Sequence, residues 1–549
     1  MLSSYRDLSS ITETLDEVAE AEEEIEVKKR RKSSRYSLEK VPIVEGDEER
    51  KPIAMWRKAA FGFGNFSRYT VIGIQAYFLN VFLLEVAGIG TFWSGNILLV
   101  KQIYDGFTDP LVGGLSDSIS TRWGRRKPWI ILASIPSGIF WILQWYTPGF
   151  TQNSVAGSVT YYLLILLVFS TMNTFVSVPY NAMVPDVAVN YDDRTAVVLF
   201  QEVFGLSAVI IFSYFQAEAV EFFKDEDNDE LVDYEKGYLY ASYITVWAVV
   251  IPMLLAVIFV KERKFIAKDL VGNSALGRVF NWFKTFLKTL GKSLMFKEFT
   301  LIVIVFVLCM IAVYLFVNNF VLYVKYVLLA ESQTSFLMLA VQATATLSIF
   351  FWAFLSKKVG KKLTFFIGCV LWIGGSIIIF FINSNDIKVF YVVCVIRALG
   401  SGVGYLIPLA MLPDVIELDR MKNGEAREGI LYSLMILLQK TGVGVAITAS
   451  NYVLGLAGYI NPDKETVVQE EDNYQPDSVL LSFRILMTVV PVICLLLALV
   501  CISFINVSKE VLDEYEAKME AEQRDLSFKP KPKNPPKDEH SLLAQEETF

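Results

Sequence analysis

Met183-Val-Pro185-Asp186-Val187 recurs later in the chain as Met411-Leu-Pro413-Asp414-Val415, each copy closing a long apolar run and each followed by an arginine, Arg194 and Arg427. A second pair of motifs keeps the same order. Gly114-Leu-Ser-Asp117 leads to Arg122-Trp-Gly124-Arg125-Arg126, and Ser356-Lys-Lys-Val-Gly360 leads to Lys361-Lys362. Pro-Asp and Gly-Arg also punctuate ordinary loops. Two signatures in matching order and spacing are better explained by a chain built from two similar halves.

The runs between these motifs set the class of protein. Of the 549 residues, 54% are apolar or aromatic and only 20% are charged, with a mean hydropathy of +0.43. That balance is too apolar for a soluble chain of this length. Stretches such as Thr300 to Val317 and Leu480 to Ile505 reach the ~18 residues of a membrane-spanning helix. Twelve such helices are expected at about 54–84, 90–116, 128–148, 157–184, 196–217, 238–260, 298–326, 334–356, 362–383, 388–413, 429–457 and 480–505. Lysines and arginines gather in alternate loops (Arg122, Arg125, Arg126, Lys127, Lys261, Arg263, Lys357, Lys361, Arg420 and Arg427 among them), which places both termini in the cytoplasm. The opposite loops, Glu218 to Glu235 and Asp463 to Asp477, are acidic.

The class expected is an all-α membrane protein with twelve transmembrane helices in two six-helix pseudo-repeats, the layout of the major facilitator fold, in which two halves rock about a site near the bilayer midplane. Its divisions are a cytoplasmic tail (1–53), a first half (54–260), a linker (261–297), a second half (298–505) and a second tail (506–549). In the linker, Leu276, Val279, Phe280, Phe283, Phe286, Leu287 and Leu290 follow helical spacing with Lys284, Lys288 and Lys292 on another face, as in a helix lying on the inner leaflet or packed under the bundle. Lys28 to Lys32, followed by Ser33 and Ser34, suits a solvated tail or a lipid-binding one released by phosphorylation. Met1 to Lys51 is too polar for a cleavable signal, so the first helix is expected to direct its own insertion.

Composition also excludes functions. A net charge of −8 argues against nucleic acid as a partner. All five cysteines lie in apolar runs, and the single histidine, His540, lies in the polar tail, so neither a zinc cluster nor a histidine proton relay is available. No nucleophile, base and orienter share a membrane depth, so the chain is not read as an enzyme and no cofactor is expected.

What remains is charge placed where the chain should be apolar. Asp105 and Asp109 lie one turn apart on one face of the second helix, with Thr108 between them. Two hard carboxylates at that spacing suit a small cation such as Na⁺. Like-charge repulsion would instead suit proton coupling, and a structural ion pair is the third reading. Lys440, within the eleventh helix beside Gly442 and Gly444, either competes with the cation for these acids, grips an anionic substrate group, or serves as a static counter-ion. Arg68 and Arg397 are further candidates of this kind, with snorkelling or pairing within the C-terminal half as the alternative for Arg397. Asp117, Arg125, Asp186, Arg194, Asp414 and Arg427, at the cytoplasmic loop ends, are expected to form salt bridges that lock one access state.

With Tyr104-Asp105-Gly-Phe-Thr108-Asp109-Pro110-Leu-Val-Gly113 and Arg122-Trp-Gly-Arg-Arg-Lys-Pro128-Trp129 in view, the chain resembles the glycoside-pentoside-hexuronide:cation symporter branch of the major facilitators. Within it, residues 54–510 look most like the sodium-dependent lysophosphatidylcholine symporter family, through Leu83-Leu-Glu-Val-Ala, Ser177-Val-Pro-Tyr180, Asn319-Phe-Val-Leu, Met411-Leu-Pro-Asp-Val-Ile416 and Lys440. The resemblance implies a Na⁺ site at Asp105, Asp109, Thr108 and Thr174, and substrate binding or coupling at Lys440, Arg68, Tyr69, Ser177, Asn318 and Asn319. Tyr69 and Ser177 stand where sugar carriers of this branch hold acids, and Val317 stands where the lipid carriers hold one. The function expected is Na⁺-coupled symport of a lysophospholipid by alternating access. The alternative is Na⁺- or H⁺-coupled symport of a glycoside or other small polar solute. A monomer among membrane lipids is expected, in the plasma membrane or, alternatively, the endoplasmic reticulum.

Overall fold

The computed structural model describes residues 53–118, 121, 123–151, 154–188, 191–223, 233–260, 291, 293–423, 428–461 and 475–505. Both tails, the linker helix expected at 276–290, Arg122, Arg427 and the side chain of Asp117 lie outside the described residues. Two compact units are distinguished. The larger, Pro42–Pro413 with Glu428–Ile505, holds every contact described below. The described part of the smaller is Asp414 to Asn423, the last turns of one helix.

Twelve helical rods follow one another: α1 (Met55–Val86), α2 (Thr91–Ser118), α3 (Lys127–Leu143), α4 (Val155–Ala182), α5 (Tyr191–Val220), α6 (Tyr234–Ile258), α7 (Lys297–Tyr326), α8 (Thr334–Val359), α9 (Lys361–Phe380), α10 (Ile387–Asn423), α11 (Glu428–Leu456) and α12 (Asp477–Ser503). Ten of them are long and apolar enough to cross a membrane. The other two fall short for readable reasons. α3 has only 17 residues, its end tightening into i to i−3 hydrogen bonds, from Trp145 to Ile142 and from Tyr146 to Leu143, ahead of Pro148. α2 is diluted by the charged side chains of Lys101, Asp105 and Asp109.

Among the described residues the only β pairing is a bridge between Thr121 and Gly124. It closes the turn after α2, where Gly124 at φ 117 takes a conformation that side chains rarely adopt. Gly360, at φ 87, ends α8 in the corresponding place of the second half.

The repeat seen in the sequence reappears as matched contacts. Arg126 donates from Nη1 to the carbonyl of Ala182, just before the first Met-x-Pro-Asp motif. Lys361 donates from Nζ to the carbonyl of Ala410, just before the second, at 2.9 Å. Lys127 caps the carbonyl of Val260 past α6, and Lys362 caps that of Ile505 past α12. The basic pair after the second helix of each half thus ties down the fourth and sixth helices of the same half. The copies differ in one respect. The first motif breaks α4 at Met183 and restarts as a four-residue helix, Val184–Val187, whereas α10 runs through Pro408 and Pro413 without a break.

Aromatic side chains fill the first half: Phe82 packs edge-on against Trp145, Tyr162 and Tyr238. At the other end of α1, Phe61 stacks on Tyr180, whose hydroxyl donates to the Phe61 carbonyl at 2.6 Å. Both halves then meet along α2 and α11, where small residues allow the backbones to approach. A Cβ on Gly95 would lie 3.2 Å from Cα of Thr448, and one on Gly444 would lie 2.9 Å from Cβ of Gln102.

Polar contacts reinforce this seam toward the end of the bundle that carries the α1–α2 and α7–α8 connections. Asn80 and Asn451 exchange hydrogen bonds at 3.1 and 2.8 Å, with Ser94 donating to Asn80 at 3.0 Å. Beyond them Glu85 accepts from Lys325 at 2.8 Å, from Tyr326 at 2.6 Å and from Tyr459 at 3.0 Å. Glu85 sits in a π-helical turn, Phe82–Val86, at the close of α1, a local widening common at functional positions. Toward the opposite end, the ion pairs Lys58–Asp193 (2.6 Å) and Arg126–Asp186 (2.7 Å) each stay inside the first half.

Candidate cation and substrate site

The seam between α2 and α11 brings the intramembrane charges together. Asp109 faces α11 and receives a hydrogen bond from Lys440 Nζ at 2.6 Å, so a cation of the second half is paired with an acid of the first. Both side chains keep about a quarter of their surface exposed, 25% and 24%. The pair is therefore not sealed by packing on every side, which leaves room for an ion or a substrate group to approach it. The other oxygen of Asp109 accepts from Thr174 on α4 at 3.1 Å.

Asp105, one turn earlier, is held in the same manner. Its Oδ1 accepts from Ser170 on α4 and its Oδ2 faces Lys101 at 3.4 Å, a pair made within α2 at i, i+4 spacing. Ser170 and Thr174 are themselves four residues apart, so α4 presents a hydroxyl ladder that matches the carboxylate ladder of α2. Pro110, lacking an N–H, cannot make the usual helical hydrogen bond to the Gly106 carbonyl, one turn before it.

The result is a set of hard oxygen donors balanced in charge by two lysines. Carboxylates and hydroxyls are the ligands that suit Na⁺ rather than a soft metal. Among the described residues no group of three or more His, Cys, Asp or Glu side chains is placed to hold a metal ion. Two acids with two hydroxyls fit a weakly held monovalent ion better than a structural divalent one. Thr108 turns away, donating to the carbonyl of Asp105 at 3.3 Å.

The residues singled out for substrate spread over four helices. On α1, the Arg68 guanidinium lies 5.6 Å from the ring of Tyr69, and the Tyr69 hydroxyl donates to Glu202 of α5 at 3.0 Å. Ser177 is half-buried on α4. Asn319 donates to Ser450 of α11 at 3.1 Å and so ties α7 to α11. Asn318 is 3% exposed and its Nδ2 has no partner. The loop-end charges sort differently. Arg125 and Arg126 both pair with Asp186, at 3.3 and 2.7 Å, whereas Arg194 is exposed and makes no ion pair among the described residues.

Lys101, Ser170, Glu202 and Lys325 did not emerge from the sequence, and Glu85 entered only within Leu83-Leu-Glu-Val-Ala, without a role of its own. The signal for Lys101 was available, since it stands four residues before Asp105 in the same helix. Ser170 and Thr174 share the same spacing one helix further on. Lys325 sits in the last turn of α7, where a basic residue reads as an ordinary helix-end charge.

Comparison with known proteins agrees with the fold. The model of the MFS/sugar transport protein family matches residues 60–509, and the chain belongs to that family. It is 26% identical over 530 residues to an uncharacterized symporter of Synechocystis, covering 85% of this chain and 97% of that protein. It is 27% identical over 489 residues to the sodium-dependent lysophosphatidylcholine symporter 1-A of Danio rerio, covering 84% of this chain and 87% of the relative. Among solved structures, the inward-open xylose transporter of E. coli superposes with a TM-score of 0.53 at 14% identity, covering 84% of this chain and 98% of that one. The chain is accordingly a multi-pass membrane transporter of the major facilitator type and not an enzyme.

Proposed function

We propose that this symporter couples entry of Na⁺ to transport of a lysophospholipid by alternating access of its two halves. The observation that carries the reading is the four-part charge cluster of Asp105, Asp109, Lys101 and Lys440, backed by Ser170 and Thr174. Without a cation its formal charge sums to zero. Adding Na⁺ at the carboxylates leaves one positive charge in excess, and the ammonium that bridges the two halves, Lys440, is the one free to be displaced from Asp109. An anionic group on the substrate then restores balance by meeting the released lysine. Ion and substrate therefore favour each other's binding, which is what symport requires. The similarity to a sodium-dependent lysophosphatidylcholine symporter supports the choice of ion and cargo.

In this arrangement both tails are cytoplasmic, a reading that the distribution of basic loops supports. The end carrying Glu85 and Lys325 then faces outward and is tied across the two halves by these contacts, which supports reading the state as one that exchanges substrate on the cytoplasmic side. The Tyr69–Glu202 contact favours a second cargo, a glycoside, because a carboxylate beside an aromatic ring and Arg68 is suited to binding sugar hydroxyls.

Uptake of labelled lysophosphatidylcholine and of a labelled disaccharide into proteoliposomes, each with Na⁺ and with choline in its place, separates the two. Lipid uptake that needs Na⁺ is expected, with at least a tenfold loss in Asp109→Ala and in Asp105→Ala. Uptake of the disaccharide alone, or Na⁺ dependence unchanged in both variants, would remove the assignment.

A further inference from the structure

One cation of the bundle interior has no counter-charge. Arg397 on α10 is 3% exposed, its Nε and Nη2 have no hydrogen-bond partner, and it makes no ion pair among the described residues. Its guanidinium carbon lies 3.4 Å from the ring centroid of Phe316 on α7 and 5.7 Å from that of Trp372 on α9. Cation–π contact offsets part of the cost of burial, but it leaves the N–H donors unused. A second group in its electrostatic neighbourhood has the same deficit: Tyr77, from α1 of the other half, is 1% exposed and its hydroxyl is unpaired. So is the indole N–H of Trp372. Arg397 and Trp372 are left with unused donors, the Tyr77 hydroxyl is free to donate as well, and no carboxylate pairs with Arg397 among the described residues. Gly375 makes the arrangement possible, since a Cβ there would lie 2.8 Å from Cβ of Arg397.

We propose that Arg397 is an anion-binding station of the transport path, taking the phosphate of a phospholipid headgroup when α1 and Tyr77 withdraw from it. The inference rests on the reading of the cargo as a lysophospholipid. Depth supports a role separate from Lys440. Arg397 lies ten residues into α10 from Ile387, about 15 Å at 1.5 Å per residue, whereas Lys440 lies sixteen residues from Leu456 at the same end of α11, about 24 Å. An anionic group descending from that end meets Arg397 first and Lys440 second. A planar guanidinium offers the paired donors that phosphate oxygens accept, and unlike a lysine it cannot shed its charge when buried.

The test is made on the purified full-length protein in detergent, following its unfolding temperature with inorganic phosphate in one arm and lysophosphatidylcholine in the other. Wild-type protein is expected to be stabilised by both, Arg397→Lys by less, and Arg397→Gln to need at least tenfold more of either. Arg397→Met, which keeps the volume without the charge, is the control should the glutamine variant fold poorly. Stabilisation of the wild type by phosphate and not by the lipid supports the station while removing the proposed cargo. Variants that respond to both probes as the wild type does overturn the inference and leave the Na⁺-coupled reading standing. A wild type that responds to neither probe overturns it as well.

Discussion

At Glu221 the surroundings of one carboxyl group set a testable response to pH. It lies just past α5 on a cavity of about 30 Å³ shared with Glu85, Tyr234, Lys325 and Glu331. Desolvation, with Glu331 and then Glu218 adding like charge against the opposing pull of Lys325, pushes its carboxyl up to about 7. An unfolded glutamate ionises near ~4.3. Between those values the folded protein holds a proton that the unfolded chain has lost, so raising the pH through this window withdraws stability. The unfolding temperature of the wild type should therefore fall more steeply from pH 5 to pH 8 than that of Glu221→Gln. Equal slopes would mean that the group is solvated and plays no part in closing that end. The same scale shows why some site residues escaped the sequence. Asp105 and Asp109 were legible because acids in an apolar run are anomalous, whereas Glu85 stands at a helix end where an acid is ordinary. Its importance comes from Lys325, Tyr326 and Tyr459, far away in the chain.

Among the elements, α2 and α11 decide how the site is assembled. Their close approach at Gly95, Gly106, Gly444 and Gly455 lets Lys440 reach Asp109 across the boundary between halves. A valine at Gly444 would place its Cβ 2.9 Å from Cβ of Gln102, so one backbone has to shift. Gly444→Val should destabilise the folded protein by about 1–3 kcal/mol, the usual cost of overpacking. It should also weaken Na⁺ dependence, because the lysine would be carried away from the acid. A thermal melt and a Na⁺ titration of uptake read the two effects, and a variant with unchanged melt and Na⁺ response would show that the seam is loose. Helix order and the internal repeat could be read directly, since apolar period and Pro-Asp punctuation are local properties. The pairing of α2 with α11 could not, because nothing in either segment alone names its partner. Gly442 and Gly444 announced only that some helix would come close. The matched caps by Arg126 and Lys361 on Ala182 and Ala410 lie between these cases: the motifs were visible, and the contact that joins them needed three dimensions.

Among the described residues, the polar contacts that cross between halves lie at mid-depth and toward one end, which is the arrangement expected of one access state. Asn80 of α1 and Asn451 of α11 form a reciprocal pair at 3.1 and 2.8 Å, backed by Glu85 with Lys325 beyond it. A rocking mechanism requires these contacts to separate once per cycle. They can be held shut by chemistry rather than by mutation of charge. In Asn80→Cys with Asn451→Cys, a short thiol-reactive cross-linker such as a bis-methanethiosulfonate, which forms a reducible disulfide at each cysteine and releases sulfinate, should join α1 to α11, after Cys501, the one partly exposed native cysteine of the described residues, is replaced by serine. Uptake should fall at least tenfold on cross-linking and return on reduction, while either single cysteine variant with the same reagent keeps its activity. The direction of the block also carries information. Na⁺ and substrate should still reach the trapped protein from the cytoplasmic side, so ligand-induced shifts in its unfolding temperature persist although transport has stopped. Transport at an undiminished rate with the two helices joined would mean that this end never opens, and the two-half rocking reading would then have to give way to motion confined within one half.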